Sequence, residues 1–259
     1  MSVLNKRNVI YNGYDLEDIA YLTITRSTAY APPNRRLNSN AIGNNDGSSI
    51  SGAYYTNKII TISCSIIAPT RAMMEDSLTD LGFKLQSQEQ TLSVSQSGST
   101  REYIATHSGM DISNESGSYC EVNINFDCSD PMGYESTYTT FLTVTSLTNN
   151  NQSYVVSIDG KAIQLPKITI TIDSLTGSSA ELSLSNSTRG ETLTISRAWS
   201  ANDVIVIDAE NGEVTVNDVL VEFNGAIPKL NVGDNTLVYD DDFTARSVDI
   251  DGIYRKRYL

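Results

Sequence analysis

Between Tyr54 and Ile67 the chain reads YYTNKIITISCSII, with Ile60, Ile62, Cys64 and Ile66 alternating against Thr61, Ser63 and Ser65. A period of two predicts a strand with one face in a core and the other turned to polar surroundings. The run GSYCEVNINFDCSD repeats the pattern. Cys120, Val122, Ile124, Phe126 and Cys128 fall on one side, with Glu121, Asn123, Asn125 and Asp127 on the other. It stops at Asp130-Pro131, because proline cannot donate to the next rung of a ladder. One stretch changes period. In TRAMMEDSLTDLGFKLQ, Met74, Leu78, Leu81 and Leu85 recur every three to four residues, while Glu75, Asp76 and Asp80 lie off that line. This predicts a single amphipathic helix with Thr70 as its N-cap.

Further short strands are expected at TLSVSQ and REYIATHSGMDIS, and an Asn12-Gly13 hairpin turn near the start, followed by a brief acidic helical turn or loop. Residues 27–53, STAYAPPNRRLNSNAIGNNDGSSISGA, hold no sustained period and are rich in Pro, Asn, Gly and Ser. They read as a long exposed loop or arm, of a length that in compact domains is usually functional or flexible. Tyr138 to Ser146 reads as a connecting strand. From about Ser153 onward, short β runs such as YVVSID, AIQLPKITITID, SAELSLSN and GETLTISR follow one another without a helix. Asn211-Gly212 marks a hairpin between IVIDAE and EVTVND.

The expected fold is therefore mainly β. A first domain over 1–135, a split barrel or sandwich with one α-helix, is followed by a second over 136–259, an antiparallel β-sandwich of jelly-roll cadence. The connection near 131–152 is expected to behave as a linker.

Composition fits this class, with abundant Thr, Ser and Asn and recurrent Val, Ile and Tyr. The formal net charge is −13, from 18 Lys and Arg against 31 Asp and Glu, spread through both halves. No basic face offers itself to a nucleic-acid backbone, so nucleic-acid binding is not expected. The N-terminal MSVLNKRNVIYNGYDL lacks an apolar core of signal-peptide length, and no window approaches the ~20 apolar residues of a spanning helix. No membrane insertion is expected. Cys64, Cys120 and Cys128 lie in strand-like runs without CxxC or Cys/His spacing, and read as small apolar core residues rather than disulfides or a zinc site.

Candidates for chemistry are few. His107 is the one histidine, and no GxSxG accompanies it, so it reads as structural. The carboxylates of Asp240-Asp241-Asp242, Glu210/Glu213 and Asp249/Asp251 could pair across a cleft, as glycosidases require, but in an acidic chain they read as loop-solvating groups. The aspartate triplet lacks EF-hand spacing. Trp199 invites a sugar-platform reading, set against the usual burial of tryptophan. Arg255-Lys256-Arg257 reads as a solvated strand edge or a contact to acidic neighbours. No catalytic, cofactor-binding or metal residue is assigned, and no cofactor or enzyme activity is expected.

Four segments together carry a resemblance. They are Ile10-Tyr-Asn-Gly-Tyr-Asp-Leu16, GAYYTNKIITISCSII with the Thr70-Arg71 helix start, FDCSDPMGY from Phe126 to Tyr134, and GDNTLVYD from Gly233 after Ile227-Pro228-Lys229-Leu230 with the closing IYRKRYL. In order and spacing over nearly the whole chain they resemble the distal tail proteins of siphovirus-type bacteriophages. That resemblance implies a structural protein of the virion, assembled in the host cytoplasm, whose first domain forms a ring, typically a hexamer, between the tail tube protein and the tail tip. It also implies a galectin-like second domain that holds receptor-binding or other adsorption proteins. Residues 27–58 and the helix near 70–86 are the expected ring contacts. The chain departs from the family in carrying only Lys58 where a regular basic strand motif is common, and in lacking room for a carbohydrate-binding insertion. A carbohydrate-binding adsorption module is the alternative reading.

Overall fold

The structure, a computed structural model, describes residues 7–41, 46, 48–177 and 180–259. It divides into two compact units, residues 1–136 with Leu259, and residues 137–258.

In the first unit, strands β1 (Asn8–Tyr11) and β2 (Tyr14–Asp15) are joined by the Asn12-Gly13 turn, where both residues have positive φ. This is the conformation a tight hairpin demands and Asn-Gly tolerates. A short 3-10 turn at Leu16–Asp18, capped by the Asp15 side chain, supplies the acidic turn. The remaining elements are β3 (Leu22–Ser27), β4 (Arg35–Ala41), β5 (Ser48–Tyr55), β6 (Lys58–Ile67), helix α1 (Arg71–Lys84), β7 (Gln90–Gln96), β8 (Ser99–Ser116) and β9 (Tyr119–Cys128). The antiparallel order runs β3-β6-β9-β8-β7-β1-β2. The inward residues of β6 and β9 are buried as their alternation requires, in one core with Val9, Leu92 and Val94. Each such aliphatic or aromatic side chain contributes about 1.5–3 kcal/mol. Thr70 caps α1 by accepting the Met73 amide, and Met74, Leu81 and Leu85 seat the helix on that core.

The segment 27–53, expected as a long exposed loop or arm without sustained period, contains most of a two-stranded antiparallel sheet, β4 with β5, paired from Arg35↔Tyr55 to Ala41↔Ser48. Residues 42–45 and 47, part of the same segment, lie outside the described residues. Most of the side chains on both strands are exposed, so nothing selects alternation, and the strands are held by backbone pairing and a bulge at Ser51.

Asp130-Pro131 proves to be a break within a longer course. β9 pairs along β8 from Ser116↔Tyr119 to Ala105↔Cys128, and after the proline β10 (Gly133–Leu147) rejoins β8 at Tyr134↔Glu102. Asp130 accepts the Met132 amide at 2.9 Å and the Tyr134 hydroxyl, which sets the kink. The stretch near 131–152, expected as a linker with a connecting strand over Tyr138 to Ser146, holds the fifteen-residue strand β10.

The second unit contains β11 (Gln152–Ile158), β12 (Pro166–Thr176), β13 (Glu181–Asn186), β14 (Glu191–Ser196), β15 (Val204–Asp208), β16 (Glu213–Val216), β17 (Val219–Leu220), β18 (Asn224–Gly225), β19 (Gly233–Asp241) and β20 (Ala245–Tyr258). One sheet runs β17-β16-β15-β12-β20-β10, the other β11-β19-β13-β14-β18. Ile168, Ile170 and Ile250 from the first and Leu184, Leu193 and Leu237 from the second share one core, as in a sandwich.

Candidate assembly surface

The first unit carries several apolar side chains open on its surface. The β4–β5 arm presents Leu37 at 53% and Ile50 at 60% exposure, and Arg35 lies over the Tyr55 ring at 5.4 Å. On α1, Phe83 is 69% exposed on the side away from the core. Beside the helix, Tyr21, Met73, Asp76 and Asp80 line an open hollow of about 520 Å³. Apolar side chains left open on a projecting arm and on a helix are groups that gain from burial against another protein surface.

The base of the arm is built with more care than its length. Thr28 and Thr61 exchange bonds across it, the Thr28 amide donating to the Thr61 carbonyl and the Thr61 amide to Oγ1 of Thr28. Tyr30 donates its hydroxyl to the Val94 carbonyl and carries the Arg101 guanidinium 4.6 Å above its ring. Lys58 sits on the inward phase of β6, only 4% exposed. Its Nζ donates to the Ala29 carbonyl at 2.6 Å and to the Tyr103 hydroxyl at 3.1 Å, and that hydroxyl donates to the same carbonyl at 2.6 Å. Burial, with Arg101 adding repulsion, pushes the Lys58 ammonium from its usual 10.5 down to about 8. Burial pushes the Tyr103 phenol up to about 12. Gly133 leaves room for this group, since a Cβ there would come 2.6 Å from the Tyr103 hydroxyl oxygen. Sequence reasoning missed the cluster, although a lysine in register with Ile60 and Ile62 was its visible sign.

The residues singled out for chemistry have other work. His107 pairs across from Phe126 at a bulge and meets its ring edge-on at 6.1 Å. Cys64, Cys120 and Cys128 are free and buried, and burial raises all three thiols, Cys64 and Cys128 to about 12. The aspartate triplet divides its roles. Asp240 accepts the Asp241 amide, Asp241 pairs with Arg246 at 2.8 Å, and Asp242 accepts the Ala180 and Glu181 amides. Asp249 accepts the Ser146 amide, and Glu210 pairs with Arg255. Lys256 pairs with Asp159 at 3.0 Å and Arg257 donates to the Ile163 carbonyl, so these two basic residues, like Arg255, are used internally. Trp199 is 6% exposed within the second core and offers no open face to a sugar. Among the described residues no group of three or more His, Cys, Asp or Glu side chains could hold a metal ion, and no helix is long and apolar enough to cross a membrane.

The GDNTLVYD segment has a structural purpose. Asn235, fully buried, donates to the Asn231 and Gly233 carbonyls and accepts from the Asn231 amide and from Asn186, which also holds the Lys229 carbonyl. Two buried amides thus tie the Pro228–Gly233 loop into the sandwich.

Residues 159–258 match the family model of the siphovirus-type tail component, C-terminal domain. A search of curated proteins finds no match. Among solved structures, the chain resembles the Dit protein of phage SPP1, described as a paradigm of the hub adsorption apparatus in phages infecting Gram-positive bacteria. The TM-score is 0.74 at 17% identity, covering 98% of this chain and 100% of that one. A chain of the phage P2 baseplate in its activated conformation with Ca matches at a TM-score of 0.50 and 8% identity, covering 98% of each. Residues 159–258 thus resemble the C-terminal domain of siphovirus-type tail components, and the chain as a whole shares the fold of the SPP1 Dit protein.

Proposed function

We propose that the protein is a structural hub of a phage tail tip or baseplate, without catalysis. Copies of residues 1–135 close into a ring, most simply a hexamer, that joins the tail tube to the tip. Residues 136–259 anchor the adsorption proteins. The observation that carries this reading is the end-to-end correspondence with the SPP1 hub protein, which spans both units rather than one shared module. The apolar groups left open on the arm and on α1 support it, because a head-to-tail interface that closes a ring must bury two different patches of each copy. Ring contacts are assigned to residues 27–58 and to the helix region 70–86. The protein's place is the distal end of the virion tail, reached by assembly in the host cytoplasm.

Light scattering of the purified chain over a range of concentrations, followed by negative-stain imaging, tests this. Rings of about six copies with a central hole are expected, and Ile50→Glu in the arm should lower the mass while leaving the circular dichroism unchanged. A chain that stays monomeric at high concentration, and also when mixed with its tail tube and tip proteins, overturns the ring.

A further inference from the structure

The arm leaves the first unit after Ala29 and returns at Lys58, and one side chain closes the gap between those points. Lys58 Nζ reaches the Ala29 carbonyl and the Tyr103 hydroxyl, both neutral, and lies 4.8 Å from the Tyr103 ring centre. Among the described residues no carboxylate pairs with it. The charged groups that bear on it are Arg101 on β8, which repels it, and Cys128 on β9, whose thiol is itself held protonated by burial. Arg101 itself lies over the Tyr30 ring, and Gly133 closes against Tyr103. An ammonium buried on two neutral acceptors, without a counter-ion, is a costly way to fasten two chain ends. Moving it into water removes that cost.

We propose that Lys58 is a proton-linked clamp on the arm: the Ala29–Lys58 base is a hinge that opens locally by releasing the protonated lysine into solvent, and it tightens when the lysine is neutral. The sign follows from linkage. The amine is held at about 8 when the base is closed and returns toward 10.5 when open, so the open state binds more protons and rising pH favours closure. Lys58 acts as a positioning residue for the arm, and this holds whether or not the protein forms rings.

Native-state hydrogen exchange on the full chain reads this directly. The reporter amides at the arm base are Thr28, Ala31 and Thr56, bonded to Thr61, Thr28 and Asn34. After correction for intrinsic exchange, their protection should rise roughly tenfold between pH 7 and pH 9. That window ends where solvated Cys128 and Tyr103 would begin to titrate. Amides of the β6–β9 ladder, such as Ile62 and Ile124, serve as internal controls and should not follow. In Lys58→Met the rise should vanish, with protection high throughout; in Lys58→Arg, which stays charged, protection should stay low and flat. Should neither variant fold, the wild-type profile against its internal controls still decides. A flat wild-type profile, a rise shared equally by the ladder amides, or an unchanged rise in Lys58→Met overturns the clamp.

Discussion

The two units bury polar groups in opposite ways. In the second, Asp241 and Arg246 form a buried ion pair whose side chains are 0% and 6% exposed, reinforced by the Phe243 amide and carbonyl. Asn186 and Asn235 answer each other and the loop backbone. In the first, Lys58 is buried on neutral acceptors with Arg101 working against it. A paired charge or satisfied amide gives a site one arrangement and a high barrier to leaving it. A buried charge on neutral partners leaves an escape route into water. The contrast fits a second unit whose loops are locked and a first unit with a yielding point at the root of its projecting arm.

The largest expected effect breaks the second unit's pairing. Arg246→Met leaves Asp241 buried and uncompensated, and should destabilise by about 3–5 kcal/mol in urea unfolding. An effect below ~1 kcal/mol would mean that the pair is not what orders this region. Asn235→Ala removes four hydrogen bonds that hold the Pro228–Gly233 loop and should cost about 2–4 kcal/mol, with increased exchange at Lys229–Leu230.

The first unit should respond with the opposite sign. Lys58→Met should stabilise it at pH 7 by roughly 1–3 kcal/mol, because the Tyr103 hydroxyl still serves the Ala29 carbonyl while the buried charge is gone. The folded-state pKa of Lys58 is lowered, so its cost is fully present below about 8 and is relieved as pH rises toward 10.5. The advantage of the methionine variant should therefore shrink between pH 8 and 9, and a constant advantage would separate the gain from the charge. The smallest effect lies at the surface. Arg71 bonds Glu75 and Glu115 with 62% of its side chain exposed, and Arg71→Ala should leave the urea unfolding midpoint essentially unchanged.

Legibility followed burial. β6, β9 and α1 could be read because each has one buried face, and burial writes a period into the chain. The Asn12-Gly13 and Asn211-Gly212 turns were legible because they need positive φ, at Gly212 as at Asn12 and Gly13. The β4–β5 arm was not, because its two largely open faces impose no pattern. β10 was legible as a strand only over Tyr138 to Ser146; its start at Gly133 was not, because much of its length lacks a buried face.

By itself the sequence determined the mainly β class, the helix over 71–84 with its cap, both hairpin turns, and a resemblance to distal tail proteins carried by the order of its short motifs. Each of these depends on local sterics or on a single buried face. Only the tertiary structure decided that Lys58 meets Ala29 and Tyr103, that Asp241 finds Arg246, that Trp199 is interior, and that the chain resumes along β8 after Pro131. The Lys58 contacts join residues 29 and 45 positions apart, through a backbone carbonyl and a hydroxyl of kinds that every β chain carries in abundance, so no local pattern could single them out.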